Sequence, residues 1–124
     1  MRIKCLIIVL FILSFLNCSR DEVETVDTEP EITITRCFTV KELGTDIEIE
    51  DARVALLGPI VCSAGCGPTV IGNKLTDSNG DVCFVLSERD NENILQIICI
   101  ANGYHQFEVN SPELDFSEIY LEPN

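Results

Sequence analysis

Histidine occurs once in this chain, at His105, and basic residues are scarce: eight Lys and Arg stand against 21 Asp and Glu. Each shortage excludes a class of function. Any Ser/His/Asp or Cys/His arrangement would have to be built on His105, and a general base also needs a positioned partner. No local nucleophile signature accompanies His105, so it reads as a solvated polar residue just after Gly103-Tyr104. A formal net charge of −13 repels nucleic acid and anionic membrane surfaces. There is no basic aromatic patch and no Gly-rich phosphate loop. No segment shows both a helix cap and a sustained 3.6-residue period. The expectation is a protein that is not an enzyme, uses no cofactor and binds no nucleic acid.

Long hydrophobic runs are also missing, with one short exception. Cys5–Leu16 (CLIIVLFILSFL) is almost wholly apolar and follows the basic residues Arg2 and Lys4. As a helix it would span about 18 Å, against a hydrocarbon core of roughly 30 Å. That is too short for an ordinary transmembrane helix and suits the h-region of a secretory signal. The run ends in Phe15-Leu16-Asn17-Cys18. It resembles the signal of bacterial lipoproteins, in which a Leu, two small residues and a lipid-modified Cys follow one another. Phe15 and Asn17 depart from that pattern. The resemblance implies a signal peptide at 1–17 and acyl chains on Cys18. Ordinary cleavage and an uncleaved anchor are the alternatives, although no A-x-A-like site precedes residue 18. Cys18-Ser19-Arg20-Asp21-Glu22 further resembles the export tag of surface-exposed Bacteroidetes lipoproteins, with Arg20 where Lys is commoner. The alternative is that these residues merely begin a soluble acidic tether. The expected location is lipid-anchored at the outer membrane, on the cell surface or on the periplasmic face. One acyl chain holds a protein weakly and several hold it durably.

Removal of 1–17 would leave six basic and 21 acidic residues, a net charge of −15. Residues 18–30 carry most of the early acids, lack a large apolar cluster and end in Pro30, which reads as a flexible tether. An extra edge strand is the alternative. Residues 31–124 are enough for one domain.

Within that domain the hydrophobic period is two, which means strands. Ile32, Ile34, Phe38 and Val40 alternate with Thr33, Thr35, Cys37 and Thr39, and Arg36 interrupts the apolar face. Ile47–Glu50 alternates, and Ala52, Val54 and Leu56 share one face of a second strand. Residues 58–68 (GPIVCSAGCGP) read as a loop whose Ile60 and Val61 could pack inward. Residues 69–74 read as a short strand. Asp77–Asp81 reads as a turn, and Asn79-Gly80 is a strong hairpin signal. Val82, Phe84 and Leu86 follow at period two. A polar connection at 87–93 leads to residues 94–101, apolar on both faces and so expected to be a central strand. Two further strands are expected at 106–109 and 117–121, separated by Ser111-Pro112. The predicted fold class is all-β: a single seven-stranded Greek-key β-sandwich after a signal peptide and an acidic tether.

Three segments in order carry a family resemblance. They are residues 49–56 (IEDARVAL), 75–84 (LTDSNGDVCF) and 95–104 (LQIICIANGY). This order resembles the carboxypeptidase regulatory-like domain, a transthyretin-like sandwich, over about residues 31–122. The cysteine-bearing 59–68 loop departs from the simplest members. The resemblance implies an accessory module without the zinc peptidase domain that gives the family its name. Hydroxyisourate hydrolases share only the fold, since their Tyr-Arg-Gly-Ser ending is absent here. On this register Val82, Phe84, Leu95, Ile97 and Cys99 point inward, while Cys37 and Cys83 point outward.

Beyond Cys18 the cysteines are Cys37, Cys62, Cys66, Cys83 and Cys99, an odd number, so one is free or pairs between molecules. A secreted chain of this kind suggests disulfides. Cys62 and Cys66 form the easiest bridge, because Ser63-Ala64-Gly65 allows a tight bend. Cys37 and Cys83 can pair only if their strands are adjacent. A four-Cys zinc site is the metal alternative, but Cys83 and Cys99 are too far apart in sequence for a second knuckle. Cys99 is most simply a small buried hydrophobe. Asp77, Asn79, Asp81 and Glu88 fall at positions 1, 3, 5 and 12 of a calcium loop, but position 6 is Val82 where Gly is required.

The functional expectation is a lipid-anchored, non-catalytic envelope module. It is held to the membrane by acyl chains on Cys18 and binds an unknown protein or glycan partner through the 59–68 loop or a strand edge. The alternatives are a secreted protease inhibitor using the 62–66 loop and a small hydrolase depending on His105.

Overall fold

The computed structural model describes residues 29–110 and 116–124. The signal, Cys18, almost all of the tether and the Ser111-Pro112 break lie outside them. The described residues form seven strands and one short helix. The strands are β1 (Thr33–Glu42), β2 (Arg53–Cys62), β3 (Cys66–Leu75), β4 (Asp81–Ser87), β5 (Gln96–Ile100), β6 (Phe107–Asn110) and β7 (Glu118–Leu121). The helix, α1, is Glu88–Glu92. A three-stranded sheet in the order β4-β1-β7 faces a four-stranded sheet in the order β3-β2-β5-β6. The protein is an all-β, two-sheet sandwich.

The period-two pattern decides which side chains meet between the sheets, because successive side chains on a strand point to opposite faces. β1 and β4 run antiparallel with Phe38 opposite Val82 and Arg36 opposite Phe84. β7 joins β1 in parallel, with Val40 beside Ile119. Phe38, Val40, Val82, Phe84, Leu86, Ile119 and Leu121 are buried from this sheet. Val54 and Leu56 of β2 and Ile97 and Cys99 of β5 are buried from the other. Each such side chain contributes about 1.5–3 kcal/mol on burial, so these two inner faces dominate the stability. Phe84 and Phe38 meet edge to face at 6.3 Å between ring centroids. β5 lies between β2 and β6, as its central position in the sequence reading required, with Ile97 and Cys99 buried and Ile100 exposed on the outer face.

Several local expectations are corrected by pairing. Asn79-Gly80 does make a tight turn. The Asp77 carboxylate accepts from the N–H groups of Asn79 and Asp81 at 2.9 and 3.0 Å, and Gly80 takes φ +73°. Yet β3 and β4 belong to different sheets, so this turn carries the chain across the sandwich and closes no hairpin. Thr76 anchors the crossing. Its buried hydroxyl donates to the Ile49 carbonyl at 2.6 Å and accepts from the Ala52 N–H at 2.9 Å.

Ile47–Glu50 is not a strand. It touches the end of β1 through a single bridge, Lys41 to Glu48, and only Ile49 is buried, leaving Ile47 exposed. The polar connection at 87–93 contains α1, because the Ser87 hydroxyl caps it by accepting from the Asp90 N–H at 3.1 Å. Arg36, the interruption of the inner face of β1, points its Nε at Asn91 Oδ1 of that helix at 2.7 Å.

Leu95, expected to point inward, is 47% exposed, and Ile94 is buried in its place. The ladder of β5 begins only at Gln96, and the Leu95 N–H is already committed to the Leu57 carbonyl at 2.8 Å. Alternation within the strand does not extend back through that entry.

Candidate functional site

The largest departure from the sequence reading is residues 58–68. They are not a loop. β2 runs on to Cys62 and β3 starts at Cys66, so the two strands form an arm that turns over Ser63-Ala64-Gly65. The pairing of β2 with β5 stops at Leu57 and Gln96, and beyond it, among the described residues, the arm is paired only within itself. Register shifts between Leu56 and Leu57, and between Leu57 and Ile60, mark where the arm departs from the regular sheet. Bulges of this kind bend a strand and increase its twist. Thr69 steadies the second shift by donating its hydroxyl to the Pro59 carbonyl at 2.9 Å.

The arm is closed by a disulfide between Cys62 and Cys66, which lie opposite each other with Cα atoms 4.2 Å apart. Ile60 and Val61 do not pack inward; they are 72% and 56% exposed, and Val70 is 61% exposed. Beside the arm is a groove of about 350 Å³ lined by Gly58, Ile60, Pro68, Leu95, Gln96 and Asn110. The exposed Leu95 therefore forms part of its wall. None of these six residues is charged. Gln96 is oriented by its own amide, which donates to Glu108 at 2.6 Å and to Asn110 at 2.9 Å.

The arm is distinguished by its lack of charge. Residues 54–73 contain no Asp, Glu, Lys or Arg, in a chain that is 23% charged. Glu88, Asp90 and Glu92 of α1 lie at the arm's own end of the sandwich, because α1 leads into Asn93 beside Gly58, and another group of acids lies at the other end. Glu48 pairs with the end of β1, and Gly80 sits against Val40 and Glu48, which brings Asp77 and Asp81 to the same end. The sequence signal for the arm was available in this uncharged stretch flanking Cys62 and Cys66. It was obscured because Gly and Pro at 58, 59, 65, 67 and 68 are normally punctuation for loops. A larger depression of about 480 Å³ lies at Glu29–Ile32 and Ser87–Arg89. It is formed by the lead-in to β1 and carries charges of both signs.

The remaining cysteines are accounted for by geometry. Cys37 and Cys83 are directly opposite in the β1–β4 ladder, on its outer face, and are joined by a disulfide with Cα atoms 4.1 Å apart. Cys99 is free and fully buried, and desolvation pushes its thiol up to about 12. Burial therefore disfavours the thiolate, the reactive form of cysteine. With four cysteines in disulfides and Cys99 inside the core, no four-Cys zinc site forms. Among the described residues no group of three or more His, Cys, Asp or Glu is arranged to hold a metal ion.

The calcium-loop positions are occupied otherwise. Asp77 caps its own turn, Asp81 accepts from the Thr39 hydroxyl at 2.5 Å, and Glu88 lies past the far end of β4. His105 is exposed, and its N–H donates to the Glu122 carbonyl at 2.8 Å. Among the described residues no serine or cysteine side chain is hydrogen-bonded to it.

The outer face of β1 and β7 carries a surface ion pair, Lys41 to Glu118 at 2.6 Å. The Lys41 hydrogen bond, then that of Tyr120, hold the Glu118 carboxyl below its usual range, and Glu118 raises Lys41 in return. Such a group contributes above its ordinary pKa and loses the contribution as pH falls through the lowered one. The pair is solvated, so its contribution is small.

Among the described residues no helix is long and apolar enough to cross a membrane. The class that these features define is a small two-sheet β-sandwich with a disulfide-closed, uncharged arm. No protein-family model and no curated protein matches the chain. Among solved structures it is similar to the C-terminal domain of the shaft pilin SpaA from Lactobacillus rhamnosus GG, at 15% identity and a TM-score of 0.49, covering 76% of this chain and 100% of that one. It is also similar to a double mutant of the shaft pilin SpaA, at 14% identity and a TM-score of 0.48, covering 75% of this chain and 48% of that one. The chain thus spans about half the length of the longer pilin structure.

Proposed function

We propose that this protein is a non-catalytic interaction module, tethered to the outer membrane by a lipid on Cys18, that presents the β2–β3 arm to a protein or glycan partner. The observation that carries the reading is the arm itself. Exposed Ile60, Val61 and Val70 sit on an uncharged projection of a strongly acidic molecule. Ile60 and Val61, adjacent on the strand, expose one apolar side chain on each face of the arm. The disulfide holds the arm in one conformation, which lowers the ordering cost on binding. The motif order at 49–56, 75–84 and 95–104 supports a relation to carboxypeptidase regulatory-like domains, in which such a module is accessory to other proteins.

The anchor rests on the short apolar leader and the position of Cys18. Intact-mass analysis of the membrane-extracted protein, before and after reduction, tests it. The expected mass lacks residues 1–17, carries acyl chains, and rises on reduction by two hydrogens for each of two disulfides. An unacylated protein recovered from the medium would overturn the anchoring.

A further inference from the structure

The arm has a second property besides apolarity: it is an unpaired β-edge. In an antiparallel ladder, narrow pairs with Cα atoms about 4.5 Å apart exchange no hydrogen bonds and alternate with pairs that do. Cys62 and Cys66, at 4.2 Å, are a narrow pair. The Ser63 N–H donates to the Gly65 carbonyl at the next position, as this alternation requires. It follows that Val61 and Gly67 bond to each other across the arm. Ile60 and Cys62 on β2, and Cys66 and Pro68 on β3, turn their main-chain groups outward. On the β3 side the edge is blunted, because Pro68 has no N–H to offer, a common way of protecting an edge. On the β2 side Pro59 directs its carbonyl to Thr69 of β3, so Ile60 and Cys62 each keep an outward N–H. No described strand lies beside residues 58–62 there, since β5 begins at Gln96, level with Leu57.

We propose that the occupant of this edge is the same edge of a second copy of the chain. Antiparallel self-pairing about a two-fold axis through Val61 places Ile60 opposite Cys62 of the second copy, and the reverse. Both residues have their main-chain groups turned outward, so this register forms four main-chain hydrogen bonds. It also carries each Ser63-Ala64-Gly65 tip toward the groove between Gly58, Leu95 and Gln96 of the other copy. The groove is uncharged, and the tip is uncharged and small. Charge is compatible with the same arrangement. Two anchored molecules of net charge −15 repel each other over most approaches, whereas residues 54–73 bring no charge of their own to the contact.

The inference rests on the proposed membrane anchoring and arm contact. The strand pairing is short, and burial of Ile60 and Val61 must offset the association entropy of a pair of molecules. Holding both copies on one membrane raises their effective concentration and reduces that cost.

The test is site-directed cross-linking of the full chain in its own membranes. In the proposed register Val61 faces Val61 of the second copy as a narrow pair, the geometry in which opposed cysteines bridge. After mild oxidation, Val61→Cys is expected to give a covalent dimer on a non-reducing gel, with the 61–61 linked peptide identified by mass spectrometry. Ser78→Cys, exposed at the opposite end of the sandwich, is expected to give none. Adding Ile60→Asp to Val61→Cys is expected to cut the dimer at least tenfold, because it places like charges together at an exposed site that tolerates substitution. If Val61→Cys is captured instead by a different protein, the second copy is overturned as the occupant while the arm-contact reading stands. If Val61→Cys forms no cross-link and remains fully open to maleimide, the self-pairing and the arm-contact reading both fail, whatever the intact mass says of the anchor.

Discussion

A chain carrying Cys37→Ser and Cys83→Ser unfolds about 4 kcal/mol more easily than the parent, from the loop-closure entropy of a bridge 46 residues apart in sequence. The bridge links the paired strands β1 and β4 and closes a loop that holds β2, β3 and the first two of the four crossings between sheets. Freeing it returns that conformational freedom to the unfolded chain. Urea denaturation reads the loss as a lower midpoint and also a steeper slope, because the unfolded state without the cross-link is more expanded. Cys62→Ser with Cys66→Ser is the internal comparison. Its bridge spans only four residues, for which the same relation gives about 2 kcal/mol. The two bridges thus separate by role. One holds the sandwich together and the other shapes the arm. Equal losses for the two pairs would contradict that division.

Phe84→Ala is expected to cost about 3–5 kcal/mol, the range for removing a buried aromatic ring. Phe84 is 2% exposed and fills the space between the sheets. Its ring meets Phe38, carries the Lys74 ammonium 5.6 Å from its centroid, and lies so close to Gly72 that a Cβ there would come within 2.6 Å of it. The edge strand β3 is therefore laid directly on this ring, and no neighbouring side chain at 72 can collapse into the gap. Val85→Ala, one position along and 67% exposed, should change stability by no more than about 0.5 kcal/mol. A loss below about 1 kcal/mol for Phe84→Ala would mean that β3 does not pack as described.

The strands of this fold were readable because alternation is a local property. Val82, Phe84 and Leu86 turn inward and Cys83 outward for the same reason, and the outward placement of Cys37 follows equally. What alternation cannot supply is which strand lies beside which. Cys37 and Cys83 meet only because β1 and β4 pair in a register that sets them opposite each other, a long-range fact. The Asn79-Gly80 turn shows the same limit. Its chemistry fixes a reversal of the chain but not whether the strands on either side share a sheet. At the arm the failure was of a different kind. Gly58, Pro59, Gly67 and Pro68 weaken strand propensity, yet the Cys62–Cys66 bridge and two register shifts keep the pairing going through them. Leu95 was misplaced because a period was carried one residue past the end of its strand. That residue lines the groove beside the arm.

The claim that the arm is the contact surface is tested most directly by photo-cross-linking in the cells that make the protein. A photoreactive phenylalanine analogue is placed in the full chain at Ile60 on the arm or at Val85 on the outer face of β4, two sites of similar exposure at 72% and 67%. The account predicts covalent adducts from position 60 and none from position 85. Adducts from 85 alone, or an unreacted chain with the analogue at 60, would contradict it.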